Sequence, residues 1–226
     1  MVRPSMELES TDKNSLKLGT KKDGTKYSVR TNRDKFFFPS EWMIFYDSLR
    51  KRQQMIFDFM IQTGARINEV RHVQVQDCDL ERKNVVLRVT KIKARKGEKN
   101  PRPRIISISS QFAKHLKHYI TDKKLSGYDY LFRKKNKTPV SKEGIHLAMK
   151  RTMIRAKIRD YWMFSLHNIR KTHGNWLKAL GIDGAEICTR LGHDYNTFLH
   201  SYSSPDIFSF KDKQDMKLIL GDLYQR

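Results

Sequence analysis

Residues 166–202 read LHNIRKTHGNWLKALGIDGAEICTRLGHDYNTFLHSY, and the rest of the chain is organised around them. Ile169, Trp176, Leu177 and Leu180 recur at helical spacing, which predicts a helix over 167–180 with Gly181 at its C-terminal cap. His167 and Arg170, three residues apart, share one face of that helix. The tripeptide Leu191-Gly192-His193 follows, and Tyr202 stands nine residues after His193. Fixed cations beside a tyrosine suit an anionic phosphate.

The composition agrees with an anionic partner. The 226 residues hold 46 Lys and Arg against 24 Asp and Glu, a formal charge of +22. A polyanion is the cheapest way to offset that balance, so nucleic acid is the expected partner. A basic ribosome-associated or membrane-surface protein is the bland alternative. Twelve Phe and three Trp argue against disorder. Cys78 and Cys188 are too few for a disulfide framework and have no metal-ligand spacing, so reduced thiols and a cytoplasmic location are expected, nucleoid-associated through the nucleic-acid partner. No apolar run is long enough to span a membrane, and no secretory signal is expected at the N-terminus.

Outward from the central stretch, residues 1–35 read as a flexible basic arm with a short strand near Tyr27–Arg30, either inert or tracking DNA. Residues 36–226 read as one domain, mainly α with a small antiparallel β-hairpin sheet. Ser40 is the expected cap of a helix with Trp42, Ile44, Phe45 and Leu49 inward. A second helix runs from about Arg52 and stops at Gly64. In Thr63-Gly64-Ala65-Arg66-Ile67-Asn68-Glu69, Arg66 opens a short helix after a glycine turn, with Glu69 one turn on in an orienting role. Val85–Val89 and Arg104–Ser109 form a hairpin with a long cationic tip. From Arg82 to Arg104 there are ten basic residues and one acidic one, which favours Lys93, Arg95, Lys96, Lys99, Arg102 and Arg104 as contacts to the DNA backbone. Ser110 and Ser141 are expected to cap two further helices, the second with Ile145, Ala148, Met149 and Ile154 inward. Its other faces offer Lys150, Arg151 and Arg155 to phosphate. An amphipathic helix closes the chain over 205–226 and either docks on a neighbouring protomer or folds back on its own domain.

Taken together, Arg66 in TGARINE, a hairpin lysine, His167-x-x-Arg170, Leu191-Gly192-His193 and Tyr202 resemble the tyrosine recombinase, or phage integrase, catalytic domain in that family's chain order. The hairpin is longer than the family's, and no separate N-terminal core-binding domain is visible. The resemblance implies a site-specific recombinase that cleaves and rejoins double-stranded DNA through a 3′-phosphotyrosyl link and works as a tetramer on DNA. It implies that the acid for the leaving 5′-oxygen is a hairpin lysine: Lys91 by ungapped alignment, with Lys93 and Lys96 as rivals. The physical chemistry of the remaining residues runs in parallel. Arg66 and Arg170 offer bidentate contacts to the nonbridging oxygens, where lysine would be weaker. Tyr202 is the candidate nucleophile, with Tyr195 as its rival. His167 is a candidate general base, and His193 a candidate donor to the phosphate. His173 and His200 read as packing or surface residues. No carboxylate cluster suggests a metal, and neither metal nor nucleotide cofactor is expected. A type IB topoisomerase-like strand nicking and religation, and a noncatalytic DNA-binding protein on an integrase scaffold, are the alternatives.

Overall fold

Residues 18–20, 26–28, 35–88, 103–196, 198 and 207–224 are described by a computed structural model. The chain divides into two units, Met1–Asp34 and Lys35–Arg226. In the first, β1 (Leu18–Thr20) and β2 (Lys26–Ser28) pair antiparallel with Gly19 opposite Tyr27. The rest of the expected basic arm lies outside the described residues.

The second unit is mainly helical. Its first helix, α1 (Pro39–Asp47), starts one residue before the expected Ser40 cap. Pro39 has no N–H to lose and a φ already set for the first helical position, and the Glu41 carboxylate accepts the Phe38 N–H at 2.9 Å. Trp42 and Phe45 are buried, but Ile44 is 52% exposed, because two residues after Trp42 turns it to the opposite side. Helix α2 (Lys51–Thr63) ends at Gly64, and the short α3 (Ile67–His72) follows.

Three strands, β3 (Cys78–Asp79), β4 (Asn84–Leu87) and β5 (Arg104–Ser107), form an antiparallel sheet in that order. Val85 faces Ile106 and Leu87 faces Arg104 across the β4–β5 ladder. Val85, Leu87 and Ile106 point into the core while Ile105 is 70% exposed. The hairpin tip, 89–102, lies outside the described residues.

Helix α4 (Ser110–Asp122) is capped by Ser109, whose hydroxyl accepts the Phe112 N–H at 3.2 Å; the N–H of Ser110 goes to Asp222 instead, at 2.7 Å. Helix α5 (Lys142–Arg155) is capped by Ser141 as expected. Ile145, Met149 and Met153 are buried, whereas Ile154 is exposed. Nine residues after Ile145, at about 100° each, Ile154 reaches the far side of the helix.

Helix α6 (Leu166–Ala179) is the central member. Ile169, Trp176 and Leu177 are wholly buried among α1 and α2, and Trp176 Nε1 donates to the Phe37 carbonyl at 3.0 Å. Phe37 in turn stacks on Phe164, Phe45 and Trp42. Contacts of this kind add about 0.5–1.5 kcal/mol each beyond area burial, so this aromatic layer fixes where α6 sits. After α7 (Gly184–Leu191), α8 (Phe210–Leu220) returns to α1 and α6, with Met216 and Leu220 buried. Phe208 packs its ring on Phe36 and Phe38. Within this chain, α8 packs against α1 and α6. Among the described residues, no helix is long and apolar enough to cross a membrane.

Candidate active site

The site begins where α2 stops. Gly64 caps that helix at φ 61°, in the left-handed region, and a Cβ there would lie 2.6 Å from His173 Cδ2. Only glycine meets both conditions. The turn delivers Arg66 to the cap position of α3. Glu69, one turn on, accepts the Arg66 backbone N–H at 2.6 Å and Arg66 Nη1 at 3.2 Å. A side-chain carboxylate therefore orients the arginine and starts the helix with the same contacts.

The other half of the site is the C-terminus of α7. Helix ends leave carbonyls without intrahelical partners and carry partial negative charge. Here three successive carbonyls accept from three arginines of three other elements. Arg104 Nη1, from β5, donates to the Arg190 carbonyl at 2.5 Å. Arg170 Nη2, from α6, donates to the Leu191 carbonyl. Arg66 Nη2 donates to the Gly192 carbonyl at 3.0 Å. Arg170 also reaches back through Nη1 to the Gly64 carbonyl at 2.8 Å, tying both turns together. His193 comes next in the chain and is carried by this turn.

The electrostatics follow from burial among cations. Desolvation, followed by Arg170 and Arg66, pushes the His193 imidazole down to about 4, so it is neutral at neutral pH and presents an N–H rather than a charge. His173 is fully buried and is held well below the usual histidine range by desolvation first and then by Arg190. Its Nδ1 lies 2.6 Å from the Ile61 carbonyl, which can only accept, so Nδ1 carries the proton. Nε2 then accepts from Arg190 Nε at 3.0 Å.

Arg66, Arg170 and His193 are thus brought together. His167 stands one turn before Arg170 on α6 with its side chain exposed. Lys91 and Tyr202, like Lys93, Arg95, Lys96, Lys99 and Arg102, lie outside the described residues. The expected backbone contact Arg104 is corrected: its side chain is 6% exposed and pairs with Glu69 Oε2 through Nη2 at 2.6 Å. Position 104 shares the inward parity of Ile106, which turns its side chain into the domain rather than toward the surface. Of the three expected α5 cations, Arg151 and Arg155 are exposed and Lys150 is half-buried. Lys150 donates to the Tyr161 carbonyl at 2.6 Å, and Arg155 reaches the Ser48 carbonyl and Thr152. Tyr195 packs its ring near Gly184, 3.0 Å from where a Cβ would stand. Gly184 is the first residue of α7, about 10 Å from the end where the arginines meet, which disfavours Tyr195 as their partner. Among the described residues no cluster of His, Cys, Asp or Glu has the makings of a metal site.

Sequence reasoning placed Arg104 on the DNA backbone instead of in its buried pair with Glu69, and it missed the Arg190–His173 pair and the second duty of Glu69. The alternation RIISIS contained the signal for Arg104, which stands in step with Ile106 and Ile108.

Residues 40–206 match the family model described as "Phage integrase family". The curated protein Tyrosine recombinase XerA of Thermococcus onnurineus (strain NA1) is 22% identical over 180 residues, covering 78% of this chain and 59% of the relative. This chain therefore spans less than two thirds of that protein's length. The crystal structure of XerA recombinase superposes with a TM-score of 0.64 at 18% identity, covering 81% of this chain and 64% of that one. XerH site-specific recombinase, solved bound to difH substrate in a pre-cleavage complex, gives 0.63 at 16% identity over 87% of this chain and 58% of that one. A lambda integrase dimer bound to a COC′ core site gives 0.59 at 14% identity over 83% and 64%.

Proposed function

The chain belongs to the phage integrase family, and from that premise we propose that it is a site-specific recombinase, cleaving and rejoining duplex DNA through a 3′-phosphotyrosyl intermediate. The observation that carries the reading is the convergence of Arg66 and Arg170 on the turn that bears His193. Arg170 is anchored by the Gly64 and Leu191 carbonyls, and Arg66 by the Gly192 carbonyl and Glu69, so both guanidinium groups are fixed at the turn before a phosphate arrives. Cleavage concentrates negative charge on the nonbridging oxygens, and a preorganised pair of forks stabilises that charge without reorganising.

In the proposed reaction the Tyr202 oxygen attacks phosphorus. The new Tyr–O–P bond forms as the bond to the 5′-oxygen breaks. His167, exposed on α6, takes the phenolic proton. A hairpin lysine, Lys91 ahead of Lys93 and Lys96, gives a proton to the leaving 5′-oxygen. Neutral His193 donates its N–H to a nonbridging oxygen. The 5′-hydroxyl of a partner strand then reverses these steps, which exchanges the strands. The phosphotyrosyl link conserves the energy of the broken bond, so no nucleotide triphosphate is needed. The duplex lies against the cationic hairpin and the Arg151 face of α5, and four copies assemble on two duplexes.

The test is incubation with a pool of labelled duplexes of random sequence, without metal or triphosphate. The recombinase reading expects a denaturant-resistant protein–DNA adduct and joints between different duplexes. An adduct with religation only of the same strand would indicate the topoisomerase-like alternative. DNA binding without any adduct would indicate a noncatalytic scaffold.

A further inference from the structure

Arg66 and Arg104 share one buried carboxylate. Glu69 is 2% exposed, and its Oε2 accepts both the Arg66 backbone N–H and Arg104 Nη2, each at 2.6 Å, while Oε1 accepts Arg66 Nη1 at 3.2 Å. A catalytic arginine clamped by a carboxylate loses most of its value to a phosphate, because a one-to-one pair is neutral. With Arg104 present, two guanidinium groups face one carboxylate and a net positive charge remains. Arg104 is shielded from solvent, so that surplus is expressed through the partly exposed Arg66. The same Arg104 holds the Arg190 carbonyl, and Gly192 lies flat against it: a Cβ on Gly192 would stand 2.5 Å from Arg104 Cδ and 3.0 Å from its Nε.

Resting on the phosphotyrosyl reading, we propose that Arg104 is a positioning residue for cleavage, which neutralises Glu69 so that Arg66 meets the scissile phosphate as an uncompensated cation, and which fixes the turn carrying His193. It does so without touching DNA. Lysine in its place would keep the charge beside Glu69 but would not span both Glu69 and the Arg190 carbonyl.

The test compares wild type, Arg104→Met, Arg104→Met with Glu69→Gln, and Arg104→Lys, with fold checked by circular dichroism. Glutamine at 69 keeps an oxygen for the Arg66 N–H but removes the charge. Adduct formation at saturating duplex is expected to fall about a hundredfold in R104M, the scale of a lost transition-state donor. Duplex affinity, spread over many phosphates, falls by less than about fivefold. Adding E69Q is expected to restore cleavage about tenfold, a coupling of a sign that loss of packing does not produce. R104M cleaving at the wild-type rate, or the double variant no faster than R104M, would overturn the proposal. Should R104M fail to fold, R104K decides: cleavage within about tenfold of wild type supports neutralisation of Glu69 as the main effect of Arg104, and any larger loss overturns it. A wild type that forms no adduct removes the phosphotyrosyl reading and this inference with it; a wild type that cleaves while R104M is unimpaired removes this inference alone.

Discussion

Arg66 Nη2 donates to the Gly192 carbonyl at 3.0 Å, joining residues 126 positions apart in sequence. This contact closes the gap between the glycine turn after α2 and the end of α7, and it sets the direction of the guanidinium. The orientation comes from backbone and Glu69 together, so it exists before any DNA arrives. Preorganisation of this kind separates a catalytic cation from a surface one.

Arg66→Lys is expected to retain a charge and lose the fork. Lysine cannot hold Glu69 and the Gly192 carbonyl in the same geometry as the planar guanidinium. Single-turnover cleavage should fall by about 10²–10³-fold, with duplex affinity nearly unchanged. Measuring both constants on the same duplex separates this outcome from a general loss of binding, in which affinity would fall in step with rate.

Gly64→Ala places a methyl group 2.6 Å from His173 Cδ2 and 2.7 Å from Leu191 Cδ2, at a φ of 61°. The collision and the left-handed backbone together should cost about 1–3 kcal/mol. Urea denaturation reads this as a lower midpoint with an unchanged slope. A midpoint equal to wild type would mean that the turn relaxes freely and does not clamp α6 to α7.

His193 links stability to pH. Its imidazole is depressed from 6.5 to about 4 by burial, Arg170 and Arg66. Between those two values the unfolded chain binds more protons than the folded one, so stability falls as pH drops through the window and levels off below about 4. His193→Gln should flatten the acid side of the curve of melting temperature against pH. In an NMR titration the His193 ring signals should stay still down to pH 5 and move near 4. Movement centred near 6.5 would place the ring in water, away from the arginines.

Salt dependence distinguishes Arg151 from Arg104. Each cation that meets a DNA phosphate adds about 0.9 to the slope of log affinity against log salt. Arg151→Ala should lower the slope by about one, whereas Arg104→Met should leave it unchanged, because Arg104 is shielded and spent on Glu69. Equal effects of both variants would return Arg104 to the DNA-facing surface.

The readable part of this fold was the part written in local patterns. Gly64 ending α2, Arg66 opening α3, the central helix with Ile169, Trp176 and Leu177 inward, and the strand alternation were all legible, because each depends on residues within a turn or two. The grouping of Arg66, Arg170 and His193 was legible only through their order and residue types. What brings them together, three arginines on successive carbonyls at the C-terminal end and cap of α7, involves backbone acceptors that no sequence pattern marks. Ile44 and Ile154 show a simpler failure. Each is apolar and near a buried neighbour, yet helical rotation turns it outward, and neither Trp42 nor Met153 reveals that without the angle. Arg104 fails differently, since its charge outweighed the alternation that placed it inside.

The central claim is that Tyr202 carries the covalent link to DNA. The direct measurement is digestion of the denaturant-resistant adduct to a limit peptide, with the nucleotide-bearing residue located by mass spectrometry, for wild type and Tyr202→Phe in parallel. The expected result is a phosphodiester on Tyr202 in wild type and no adduct in the variant. A nucleotide on Tyr195, or an adduct that survives Tyr202→Phe, would contradict it.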